Sequence, residues 1–236
     1  MLDFSQFEIL SFDCYGTLID WESGILGCLR PLLAARGQLL EDASILALYA
    51  TLESEIEQGS FLPYRQVLEQ VVRGFGRSLG FAATESEAHS LPESIAAWPP
   101  FPDSVLALAQ LKTRYRLAAL SNVDDDLFST SAKLLGNPFD LVVTAQQVGS
   151  YKPALNNFRA LLGKIEHLGV EPRRVLHVAQ SLYHDIAPAH SLGLATVWVN
   201  RRAGREGSGA TPPATVLPDL VVPDLAALVA AIPGLR

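Results

Sequence analysis

The feature that most restricts what this chain can fold into is the alternation of helical and strand-like segments beyond residue 98. A helix is expected over Ser104–Arg114, a strand over Arg116–Leu120, a helix after Asp124, a strand over Leu141–Thr144 and a helix after Pro153. A strand over Arg174–Ala179, a helix over His184–Leu192 and a strand over Ala195–Val199 continue the order. Strands separated by helices need right-handed crossovers and therefore a parallel sheet. The expected fold is α/β: a Rossmann-like parallel sheet with helices on both faces. An early apolar run, Phe7–Phe12, reads as one more buried strand of that sheet.

Between this run and the rest, from Trp21 to about Ala97, the periodicity is helical, as in Ile25, Leu29, Leu32 and Leu33 and in Ile45, Leu48, Leu52 and Ile56. The helical stretch is therefore read as an insertion, which gives a catalytic core of residues 1–20 plus 98–236 and a helical cap domain of residues 21–97. The run Trp98-Pro-Pro-Phe-Pro, whose prolines remove donors and disfavour helix before them, is expected to act as a hinge at the return crossing. The Gly/Ser/Pro-rich stretch Gly204–Pro213 is expected to be a surface loop without chemistry, and Leu225–Ile232 a closing helix.

A hydrophobic fraction of 49% with 18% charged residues excludes a disordered chain. The net charge of −7 lacks the clustered Lys and Arg that a nucleic-acid binder needs, so a small molecule is the expected partner. Two cysteines, Cys14 and Cys28, are too few for a disulfide framework and fit a reducing compartment, with the cytoplasm expected. The N-terminus lacks the pattern of a signal peptide, and no apolar run reaches the length of a membrane span. A homodimer is compatible with these features.

Ligands of parallel sheets bind at the carboxyl ends of the strands, so the residues that follow each strand are the candidates for chemistry. Here they are Asp13-Cys-Tyr-Gly-Thr17, Ser121-Asn122, Lys152 before Pro153, and Gln180-Ser-Leu-Tyr-His-Asp185. A fixed, desolvated carboxylate such as Asp13 can attack carbon or phosphorus and form an ester that water later opens. Lys152 would hold Asp13 ionised by Coulomb attraction. Ser121 and Asn122 could bind a substrate oxyanion, and Asp185 could hold Mg²⁺ or position water.

In these four motifs, in this order, and in the place of the helical insertion, the chain resembles the haloacid dehalogenase-like hydrolase superfamily. Asp-x-Tyr-Gly-Thr-Leu-x-Asp at 13–20 is the most specific of the four. The resemblance implies an aspartate nucleophile and a covalent ester, with Asp13, Tyr15, Thr17, Ser121, Asn122, Lys152 and Asp185 as catalytic residues. It is nearest to type II 2-haloacid dehalogenases, because phosphatases of the superfamily carry a second Asp, the general acid, where Tyr15 stands. That subclass implies small 2-halo carboxylic acids as substrates and no cofactor. The alternative is a phosphatase with Mg²⁺ on Asp13, the Tyr15 carbonyl and Asp185, and a further one is a catalytically impaired relative.

The chain departs from the dehalogenase pattern in three places. Gln180 and Leu182 stand where that subclass has Ser and Asn, His184 stands where it has an aromatic residue, and Ala50 is aligned with its halide-binding Arg. Tyr64 and Arg65 are the candidates to replace that Arg in substrate binding, together with Gln180. Other polar residues take ordinary structural readings. Glu53, Glu55 and Glu57 are expected on a solvated helix face, and Asp20 as a helix cap. His177 and His184 are expected to be structural, and Asp124-Asp125-Asp126 to favour a helix N-terminus.

Overall fold

The computed structural model describes residues 2–204 and 209–235. Its strands are β1 (Ile9–Phe12), β2 (Arg116–Ser121), β3 (Leu141–Thr144), β4 (Val175–Ala179), β5 (Ala195–Val199) and β6 (Leu220–Val222). They form one sheet in the order β3-β2-β1-β4-β5-β6, with every pairing parallel. The winding reverses at β1, so the crevice beyond the ends of β1 and β4 is where a parallel sheet of this kind accepts ligands.

Between β1 and β2 lie α1 (Trp21–Ala35), α2 (Asp42–Glu57), α3 (Tyr64–Leu79), α4 (Glu85–Ser94) and α5 (Ser104–Lys112). Later come α6 (Asp125–Leu134), α7 (Ala145–Val148), α8 (Leu155–Glu166), α9 (Ala187–Ser191) and α10 (Leu225–Ala231). Because successive strand residues point to opposite faces, each strand feeds two cores. Ile9, Ala118, Leu120 and Val175 pack with Phe158 and Leu161 of α8. Leu10, Phe12, Leu117, Ala119 and Val178 join Leu108 of α5 and Leu228 of α10 in the other core. Each fully buried Leu or Phe of this kind contributes about 1.5–3 kcal/mol.

The helix expected over 184–192 differs: a π turn, Leu182–Ile186, precedes a short α9. Pro188, which has no N–H, stands in the first turn of α9, where that donor is not needed. The strand β6 and the single turn α7 were not expected, since three and four residues carry no readable period. Of the Gly204–Pro213 stretch, residues 205–208 lie outside the described residues, whereas Thr211 is buried.

The outgoing and returning segments at the helical insertion lie side by side. Phe101 donates to the Leu18 carbonyl at 2.9 Å and Asp20 to the Pro99 carbonyl at 2.8 Å. Trp98 is buried against α1 at Gly24, where a Cβ would come within 2.3 Å of the indole. Asp20 caps α1 by accepting from the Ser23 N–H at 3.2 Å. Asp124 stands at the N-terminus of α6 as expected, ahead of Asp125 and Asp126. Its carboxylate does not cap its own helix; it accepts the backbone N–H groups of Tyr64 and Arg65 at 2.9 and 3.0 Å, so it caps α3 from across the fold. Tyr151 reinforces this junction by donating to the Leu62 carbonyl at 2.7 Å.

Asp124→Ala should therefore destabilise the protein by about 1–2 kcal/mol, the usual worth of a lost cap. Denaturant unfolding measures this directly, and Asp125→Ala, one residue along, provides a comparison.

Candidate active site

The turn after β1 is tightly fixed. The Asp13 N–H donates to the Val178 carbonyl at 3.2 Å, and Leu18 and Ile19 both donate to the Cys14 carbonyl. Gly16 has φ +89°, a left-handed conformation in which a Cβ would also meet the Trp21 indole nitrogen at 2.9 Å. This geometry presents Asp13 at the bottom of a pocket lined by Tyr15, Trp21, Glu53, Glu57, Tyr64, Ser121, Asn122, Lys152, Gln180, Ser181, His184, Asp185 and Thr211.

Lys152 organises the floor of that pocket. Its Nζ donates to Asp13 Oδ1 at 2.9 Å, to Asp185 Oδ1 at 2.6 Å and to the Leu120 carbonyl at 3.0 Å, which uses all three ammonium protons. The Asn122 side-chain amide fixes the backbone of Lys152 from both sides, at 2.7 and 3.0 Å. Thr17 donates to Asp13 Oδ2 at 2.6 Å and accepts from the Gln180 N–H at 2.9 Å. Behind Asp185, the His177 Nε2 lies 3.1 Å from Oδ1, and its Nδ1 lies 2.9 Å from Ser11 Oγ.

Burial opposes the charge on Lys152, yet the two carboxylates hold its pKa above the ordinary range. Burial raises Asp13, with Lys152 and Thr17 opposing it from one oxygen each. Asp185 is drawn below the usual range against its burial by Lys152 and His177. Burial depresses His184 to about 4, which leaves a neutral imidazole in the pocket wall at neutral pH. Ser121 Oγ is buried and, among the described residues, has no hydrogen-bond partner. An orphaned hydroxyl in a pocket wall is a group awaiting a ligand.

The candidate residues fall into two groups. Asp13, Tyr15, Thr17, Ser121, Asn122, Lys152, Gln180, Asp185 and Tyr64 line or directly support the pocket. Tyr15 turns its hydroxyl away, 2.9 Å from Ser131 Oγ, with its ring edge-on to Trp98. Arg65 does not line the pocket: its guanidinium pairs with Asp126 at 2.6 Å on the surface. Ala50 likewise faces another cleft, with Thr51, Ser54 and Glu55.

The reading of Glu53 and Glu57 as solvated is overturned. Tyr49, Glu53 and Glu57 recur every fourth residue and share the inner face of α2. Glu53 is 6% exposed, and its Oε1 accepts from Tyr49 at 2.7 Å and Tyr64 at 2.6 Å. Burial lifts its pKa to about 7 despite both phenols, and burial together with Glu53 raises Glu57. His184 and Thr211 were also missed, and both line the pocket.

Asp13 and Asp185 are the two carboxylates that a Mg²⁺ ion could meet at the strand ends. Asp13 and Asp185 both spend Oδ1 on the Lys152 ammonium, Asp13 Oδ2 accepts from Thr17, and Gln180 supplies no further charge. Among the described residues no group of three His, Cys, Asp or Glu is arranged to hold a metal ion.

A doubly wound sheet whose switch point carries a desolvated carboxylate, clamped by a buried lysine under a helical roof, defines a class of α/β hydrolase. The chain belongs to one family of that class: residues 7–193 match the model of the haloacid dehalogenase-like hydrolases. It is 26% identical to haloacetate dehalogenase H-2 of Moraxella sp. strain B, over 89% of this chain and 94% of that protein. It is 30% identical to glyceraldehyde 3-phosphate phosphatase of Methanothermobacter thermautotrophicus, over 57% of this chain and 58% of that protein. The fold superposes on a crystal structure of an L-2-haloacid dehalogenase with TM-score 0.76 and 25% identity, covering 94% of this chain and 97% of the other. No helix among the described residues is long and apolar enough to cross a membrane.

The raised Glu53 pKa has a measurable consequence. The folded state retains a proton that the unfolded carboxyl releases near its ordinary 4.5, so this contribution to stability is complete below about 4.5 and is lost as pH rises toward 7. Glu53→Gln should flatten the fall in Tm between about pH 4.5 and 7 relative to the wild type, as read by scanning calorimetry.

Proposed function

We propose that the protein is a hydrolase of the 2-haloacid dehalogenase kind, in which Asp13 displaces halide from the α-carbon of a small 2-halo carboxylic acid. The observation that carries this reading is the Lys152 bridge, which holds Asp13 Oδ1 at 2.9 Å and aims a desolvated carboxylate into the pocket. Attack forms the bond from an Asp13 oxygen to carbon as the carbon–halogen bond breaks and the halide leaves with the electron pair. Water then adds to the Asp13 acyl carbon, which restores the carboxylate and releases a 2-hydroxy acid.

The leaving group distinguishes this reaction from phosphoester hydrolysis. An alkoxide needs a proton donor, whereas halide needs none. Tyr15 supports the second case, since its phenol is held against Ser131 and burial raises its pKa well above the usual value. Ser121 Oγ is offered as a donor to the substrate carboxylate. Helices α1–α4 are assigned the role of a cap that excludes water from the ester. A second reading, phosphoester hydrolysis, draws support from the partial likeness to the archaeal phosphatase.

Halide release from chloroacetate and 2-chloropropionate should proceed in wild-type protein with EDTA present, and should fall by about 10³-fold or more in Asp13→Asn. No release, together with phosphate release from phosphometabolites in Mg²⁺, would replace this reading with the second. No turnover of either substrate type would point to an impaired relative.

A further inference from the structure

The pocket that holds Asp13 carries two further carboxyl groups from α2 in its wall. Glu53 and Glu57 of α2 line it together with Tyr64, and behind them the Tyr49 and Tyr64 hydroxyls lie 3.0 Å apart and both donate to Glu53 Oε1. Among the described residues neither glutamate takes part in an ion pair, although Glu22, Asp103, Asp13 and Asp185 all do. No hydrogen bond among these residues reaches Glu53 Oε2. Lys152 is the lone Lys or Arg in the lining, and its three N–H groups are committed elsewhere.

A buried carboxyl is normally paired, because desolvation of an isolated charge is costly. The price appears here as the rise of Glu53 to about 7, which a cation at Oε2 would reverse. A second group in the same pocket also lacks its partner: Ser121 Oγ, 2% exposed. An unsubstituted 2-halo acid would satisfy Ser121 and leave the glutamates facing a carboxylate or nothing.

We propose that Glu53 and Glu57, with Tyr49 and Tyr64 fixing Glu53, form a subsite for a protonated amine, and that the substrate is a small halo acid bearing an ammonium group. The assignment of reaction type rests on the dehalogenase reading above, whereas the ammonium subsite rests on the pocket wall. The substrate lies with its reacting carbon over Asp13 and its cation toward α2.

Isothermal calorimetry with unreactive ligands tests the subsite apart from the chemistry. Wild-type protein should bind 3-aminopropanoate about tenfold or more tightly than propanoate, the worth of one charge-assisted contact. Glu53→Gln should abolish that advantage, and Glu57→Gln, at a half-buried position that tolerates change better, should reduce it. Propanoate binding as tightly as 3-aminopropanoate in the wild type, or an advantage that persists in both variants, would overturn the subsite. Halide release from 2-bromopropanoate and 3-amino-2-bromopropanoate is read separately. Absence of release from both would remove the dehalogenase reading and leave the calorimetric result standing.

Discussion

A buried ammonium cannot be left with unsatisfied donors, and the three acceptors of Lys152 come from three places: Asp13 after β1, the Leu120 carbonyl in β2, and Asp185 after β4. That requirement ties the strand ends together and fixes the position of the Asp13 carboxylate. Removing one partner of such a buried group typically costs about 3–5 kcal/mol, because the remaining charge has no solvent to turn to. The support extends backwards through His177, which places its ring between Asp185 and Ser11 in the sheet interior. Two carboxylates against one ammonium leave the floor of the pocket negative, so the group that approaches Asp13 must be held by donors elsewhere in the wall.

Much of the fold was legible in the sequence because parallel strands buried on both faces are near-continuous apolar runs. Strands β3 and β5 were read to the residue, and β1, β2 and β4 within two residues of their ends. The misses have physical causes. β6 is three residues long and lies at the sheet edge, so no period can form within it. The π turn before α9 is a difference in hydrogen-bond spacing, which a hydrophobic pattern does not record. Asp124 stands at the helix N-terminus that the acidic run indicated, but its capping of α3 joins residues about sixty apart in sequence, which no local pattern shows.

The floor of the site was legible and its roof was not. Asp13, Ser121, Lys152 and Asp185 follow strands, and the end of a parallel strand has a known location. Residues of α2 have no such anchor: Ala50 differs in helical phase from Glu53 and Glu57, and which phase lines the pocket depends on how the helices pack. A trace was present nonetheless. Tyr49 and Glu53 continue the i, i+4 series begun by Ile45, so the same periodicity that identified α2 places Glu53 on its buried side. Judging the glutamates by charge instead of phase put them in solvent. Thr211 and His184 illustrate the same limit, since a loop and a distorted helical turn carry no period that assigns a face.

The proposed reaction requires Asp13 to form and lose a covalent ester. The direct measurement is multiple turnover of a 2-halo acid in heavy-oxygen water, followed by proteolysis and mass spectrometry of the peptide that contains Asp13. Water attacking the acyl carbon leaves its oxygen in the Asp13 carboxylate, so that peptide gains heavy oxygen, and the gain disappears without substrate. Heavy oxygen in the hydroxy acid from the first turnover, with none in the Asp13 peptide, would mean that water attacks the substrate directly and that Asp13 is not the nucleophile.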